Sequence, residues 1–205
     1  MRNIFLGILA MLFSSYQASA DSPLTSTEFY KAYEQLPIIQ LAGSSNGLLN
    51  KALINYLVDK DNPTDVKIAL INRLGWNIKG KRNAPKLISY LKSKYGFKTT
   101  AELKAGLSAS DLICIAYVKS MDNYFDTKEA LTYATLAQTK EPKSYTINII
   151  QRLIKAQDYV MKSYCQVFKI VDEVRSDASL TMDFNKEAST IIFEYIDGYK
   201  KYCTN

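Results

Sequence analysis

The chain has no histidine at all. That absence removes the usual general base of Ser, Cys and Thr hydrolases, and with it the commonest side-chain ligand for transition metals. Three cysteines remain, at positions 114, 165 and 203, and they are too widely spaced to seed a zinc site. No metal and no cofactor is expected. Glycine is scarce, with 8 in 205 residues, and no glycine-rich phosphate loop is present: Gly75 and Gly80 flank Trp76 and Lys79 without the residues such a loop needs. Acidic residues are missing altogether between Asp65 and Glu102, whereas Lys67, Arg73, Lys79, Lys81, Arg82, Lys86, Lys92, Lys94 and Lys98 all fall there. The whole chain carries a formal charge of only +6, so the remainder is net acidic.

What is present begins with a leader-like segment. Residues 1–20, MRNIFLGILAMLFSSYQASA, combine one cation, an apolar run from Ile4 to Phe13 and an Ala18-Ser19-Ala20 small-residue site, which predicts a secretory signal peptide. The run is about half of the roughly 20 residues a membrane span needs, and no later run approaches that length. Residues 21–205 are therefore expected as one exported domain, periplasmic where an outer membrane exists and otherwise secreted. Export places the cysteines in an oxidising compartment, where one disulfide and one leftover thiol are expected. The spacing predicts Cys114 paired with Cys165 or Cys203, because two antiparallel late helices turning near Ala178 would leave Cys165 and Cys203 about 16 Å apart.

Apolar residues recur with helical period through the mature chain, and no alternating strand pattern competes. The expectation is an all-α fold, an irregular stack of about eight or nine antiparallel helices. A first helix is predicted from Ser26 or Thr27 to Leu36, with Pro37 ending it and Leu41 to Gly47 as loop. Leu48 to Val58 and Thr64 to Leu74 follow, the second stopped by Gly75. The most apolar run, Leu112 to Val118, marks a central helix. The longest predicted helix runs from Ser144 to about Arg175, and Asp183 opens the last one.

Pro63, Asp65, Val66, Lys67, Ala69, Leu70, Leu74 and Gly75 resemble the second helix of a HEAT-type repeat. The resemblance covers residues 48–75 and implies an antiparallel helical hairpin, part of a solenoid-like stack. No second copy stands about 40 residues away, so a long regular solenoid is not implied.

Two enzymatic readings arise. Glu194, between Phe193 and Tyr195, is a carboxylate in apolar surroundings of the kind a glycan-cleaving acid needs. Arg152, Lys162, Asp172 and Arg175 are similar to the Arg, Lys and Asp-x-x-Arg series of exported all-helical chorismate mutases, which use cations around a dicarboxylate and need neither metal nor histidine. Ser176 stands where that motif has Glu, and the set lies in one late helix instead of an early helix and loop.

The stronger reading is a non-catalytic binding protein. The segment Gly75 to Asn83, GWNIKGKRN, puts the only Trp beside two glycines and three cations, and Trp and Arg are favoured at binding hot spots. Trp76, Lys79, Lys81, Arg82, Lys86, Lys92 and Lys94 are the expected contact residues for an anionic partner. That partner is expected to be an acidic protein, such as a toxin or hydrolase met by an inhibitor or immunity-type protein, or else an anionic envelope polymer or membrane surface. Nucleic acid is not expected, since no recognised binding module is present.

Overall fold

The computed structural model describes residues 22–203, so the leader and its cleavage site at residues 1–20 lie outside the described residues. Among the described residues the chain is helical, with eleven α-helices, two 3-10 turns and no strand beyond a single bridge between Ser144 and Thr181. The fold is all-α, as the periodicity predicts.

The N-terminal region departs from the expected single helix. Ser22 caps a short α1 (Pro23–Ser26), and a 3-10 turn (Phe29–Tyr33) follows. Pro37 begins α2 (Pro37–Gly43) instead of ending a helix. Its fixed φ and missing N–H suit the first helical position, where the amide has no intrahelical partner anyway. Next come α3 (Lys51–Leu57), capped by Asn50, and α4 (Thr64–Leu74), ended by Gly75 at φ 66°. The main neighbours of α4 are α2, the Phe29–Tyr33 turn and α7, with α3 not among them. The segment that resembles a HEAT-type pair thus forms two helices in the implied order, each packed chiefly on something else.

The second half is built round α7 (Ala109–Asp122), where every residue but Ser110 and Lys119 is buried. Helix α5 (Asn83–Tyr95) packs on α7, as do α4, α8 (Lys128–Lys140) and α9 (Tyr145–Gln157), while α6 (Thr100–Gly106) starts with a Thr99–Glu102 capping box. Leu112, Ile113, Ile115 and Ala116 are each 0% exposed, and at about 1.5–3 kcal/mol for each large side chain taken from water this helix anchors the core. The buried apolar residues form one continuous cluster, from Leu24 to Tyr199. Asn72 ties that centre to the N-terminus: its amide donates to Thr27 O and Tyr117 Oη, and its oxygen accepts from Tyr30 N.

The long helix expected from Ser144 to Arg175 is two. Helix α9 ends at Gln157, and Ser163, in extended conformation, caps α10 (Tyr164–Ser176) by accepting from Gln166 N. A nine-residue connection, 177–185, then leads to α11 (Lys186–Asp197) and a final 3-10 turn (Lys200–Cys203). These two breaks overturn the disulfide expectation. Cys165 and Cys203 are bonded, with Cα atoms 4.7 Å apart, and Cys114 is the free, buried thiol. The longer connection slides α11 along α10, and the last turn curls Cys203 back onto the start of α10. Burial pushes the Cys114 thiol up to about 12, which leaves it an inert member of the core.

Candidate functional site

The loop between α4 and α5 is held by two glycines and one backbone clip. Gly75 and Gly80 have positive φ values of 66° and 77°. A Cβ on Gly80 would stand 3.1 Å from Asp122 O, so the absent side chain lets the loop lie close against the end of α7. Lys81 N then donates to Asp122 O at 3.1 Å. Trp76 packs edge-on against Tyr124, ring centroids 4.8 Å apart, and Tyr124 lies 4.2 Å from Phe125 in the α7–α8 turn. Two large apolar side chains stand out on this pedestal: Ile78 is 68% exposed and Phe125 72%. A cleft of about 310 Å³ lies between the two loops, lined by both of them and by Lys79.

The cations predicted as one patch separate into two groups. Lys81 Nζ donates to Leu74 O and Gly75 O at 2.5 and 2.9 Å, Lys86 Nζ to Leu49 O, and Lys94 Nζ to Val58 O at 2.6 Å. These three satisfy main-chain carbonyls at helix ends and loops, where helical pairing leaves acceptors without donors. Lys67 is withdrawn completely: it is 1% exposed, with its ammonium 3.3 Å from Ser110 Oγ. Lys79 and Arg82 are exposed, and their side chains make no hydrogen bond or ion pair with any described residue. Lys92 is half-buried and adds to the field at Glu102.

Beside Arg82 a second cleft of about 400 Å³ runs to α8, with Lys119, Asp122 and Glu129 on its walls. Lys119 pairs with Glu129 at 2.9 Å. Asp122 is 8% exposed, and its Oδ2 accepts from Ala84 N at 2.7 Å, so this carboxylate caps α5 from another helix. Burial raises the Asp122 carboxyl above the ordinary carboxylate value, against the opposing pull of the Ala84 and Asn83 N–H groups, Lys81 and Lys119. Burial likewise lowers Lys81, opposed by Asp122.

The enzymatic candidates do not converge. Glu194 is an exposed residue of α11. Arg152 pairs with Glu173 at 3.1 Å, and Arg175 with Asp172 at 2.9 Å and Asp197 at 2.6 Å, while Arg175 also lies over the Phe193 ring. Lys162 is exposed beside the Tyr159 ring. Each arginine thus already has its own carboxylate, which leaves neither free to grip a dicarboxylate. No group of three or more Cys, Asp or Glu among the described residues could hold a metal ion, and no described helix is long and apolar enough to cross a membrane.

Sequence reasoning missed the second half of the site. Asn123, Tyr124 and Phe125 sit between two helices, and two aromatic residues in so short a turn were the available signal. No protein family, curated protein or solved structure matches the chain.

Proposed function

We propose that this protein is an exported, non-catalytic binding protein that docks an acidic protein on the surface formed by residues 75–82 and 123–127. The observation that carries the reading is the pairing of exposed Ile78 and Phe125 with Lys79 and Arg82, two cations that have no internal partner. An apolar centre on a rigid aromatic base, edged by unspent cations, is the composition that concentrates binding energy at protein interfaces. The aromatic base limits the entropy lost on docking, and the cations favour encounter with an acidic surface. Export rests on the leader-like residues 1–20, and the Cys165–Cys203 disulfide suits an oxidising compartment. An inhibitor or immunity-type role, capping an acidic toxin or hydrolase, is the biological form this reading takes.

The test is capture from envelope extract on the immobilised mature chain, comparing wild type with Ile78→Ser/Phe125→Ser and with Lys79→Glu/Arg82→Glu. A single saturable complex of fixed stoichiometry, lost in both variants, is the expected result. Binding that survives Ile78→Ser/Phe125→Ser and merely fades as salt rises would replace the protein partner with an anionic polymer or lipid surface. Retention of every partner by both variants removes the surface altogether.

A further inference from the structure

Helices α3 and α5 run side by side in the same direction, and polar side chains, more than apolar contact, join them. From one stripe of α5, Asn83 accepts from Leu49 N and donates to Gly47 O, Lys86 reaches Leu49 O, Tyr90 Oη donates to Asn55 Oδ1 at 2.8 Å, and Lys94 reaches Val58 O. The pairs rise in register along both helices, which fixes the parallel direction. Helix pairs usually close their gap with interlocking apolar ridges. Here the rungs hold the helices while a groove stays open above them. It has clefts of about 600 and 570 Å³ on either side of Tyr90, which lines both.

The charge and texture of this groove are specific. Lys51, Lys60, Lys86 and Lys94 line it against a single acid, Asp59. Lys51 and Lys60 are exposed, and neither makes a hydrogen bond or ion pair with a described residue. Ile54 and Val58, only 3% and 4% exposed, form an apolar floor between the lysines. Ser89 and Ser93, one turn apart on α5, leave room beside Tyr90. Lys86 and Lys94 are eight residues apart, about 12 Å along the helix. We infer that the α3–α5 groove is a docking site for an acidic peptide segment of a partner protein, its carboxylates meeting the lysines and its apolar side chains reaching the Ile54–Val58 floor. An anionic polysaccharide would match the charge and leave that floor unused. The groove shares no lining residue with the clefts of the proposed tip, so the inference stands or falls separately from that reading.

The probe is a short fluorescent peptide of Glu and Leu, followed by anisotropy on the mature chain, with its Gln-for-Glu isostere as control. Lys51→Glu/Lys60→Glu, whose side chains hold nothing together, should weaken binding at least about tenfold, and the isostere should lose a similar factor. Ser93→Trp, which fills the groove, should do the same if circular dichroism shows it folded; the double lysine variant decides the question where it is not. Amide shifts on titration should fall in residues 51–60 and 86–95. Lys79→Glu/Arg82→Glu should leave this binding unchanged. Equal affinity for the isostere, shifts mapping elsewhere, or dextran sulfate binding as tightly with the same dependence on Lys51 and Lys60 would each overturn the assignment to a peptide.

Discussion

The tip at residues 75–82 and the ladder between α3 and α5 draw their cations from one run of sequence and use them in opposite ways. In the ladder, Lys86 and Lys94 are hydrogen-bonded to main-chain carbonyls, together with Asn83 and Tyr90, and they hold two helices in register. At the tip, Lys79 and Arg82 hold no described residue by hydrogen bond or ion pair, and the structure there depends on aromatic packing and one backbone clip. Lys81 stands between the two: it belongs to the tip loop but caps the end of α4. A run of positive charge in a sequence is therefore not yet a binding patch. Each ammonium first serves any carbonyl that helical geometry leaves without a donor, and only the remainder is available to a partner.

The sharpest way to break the ladder is Asn83→Ala. Asn83 is 4% exposed, and its amide serves both Leu49 N and Gly47 O. Truncation leaves two main-chain groups without partners, at about 1–3 kcal/mol each when buried. The expected loss is about 2–4 kcal/mol in urea unfolding. A loss under about 0.5 kcal/mol would show that the ladder does not hold α3 and α5 together.

Next in size is the contrast between Lys81→Met and Lys79→Met, two residues apart in one loop. Lys81→Met removes the donor to Leu74 O and Gly75 O and should cost about 1–2 kcal/mol. Lys79→Met should stay within about 0.5 kcal/mol of wild type. Equal costs would erase the distinction between spent and unspent cations.

Much of the scaffold was legible because helical period and turn chemistry are local. The Thr64–Leu74 helix with its Gly75 stop and the buried Leu112–Val118 run follow directly from spacing and composition. Pro37 misled because a proline either ends a helix or begins one, and the difference depends on the residues on its C-terminal side. The break at 158–163 was hidden by apolar residues that keep helical spacing across it, although Ser163 was a readable cap. That single omission, with the longer 177–185 connection, moved the C-terminal turn by enough to reverse the disulfide assignment. The site was only half legible: Trp76, Lys79 and Arg82 could be chosen from sequence, but their aromatic partners Tyr124 and Phe125 lie some 45 residues away, and nothing local announces that contact. The lysines could not be sorted at all, since the carbonyls that claim them belong to other helices.

A smaller effect tests the charge buried beneath the tip. Burial raises the Asp122 carboxyl above its ordinary value of 3.8. Between 3.8 and the raised value the folded state holds more protons than the unfolded one, so this group's contribution to stability grows as pH falls through that window. Asp122→Asn keeps an oxygen able to accept from Ala84 N and removes the titration. Wild type should therefore gain stability relative to Asp122→Asn between pH 7 and pH 4. If the variant gains instead, Asp122 acts as an ordinary paired carboxylate, with its folded value depressed.

The smallest effect on stability carries the most information about function. Lys79→Glu/Arg82→Glu should melt with wild type, since neither side chain bonds to a described residue. The reversed charge also brings no new buried group to satisfy. Whatever the variant loses is then lost from binding alone, and should appear first as a slower association rate that depends on ionic strength. Ile78→Ser/Phe125→Ser, by contrast, should mainly speed dissociation, because the apolar contact forms only after the partners have met. Seeing both signatures in one partner would assign encounter to the cations and residence to the aromatic pedestal. A double charge reversal that melts early would instead place Lys79 or Arg82 with the spent cations of the ladder.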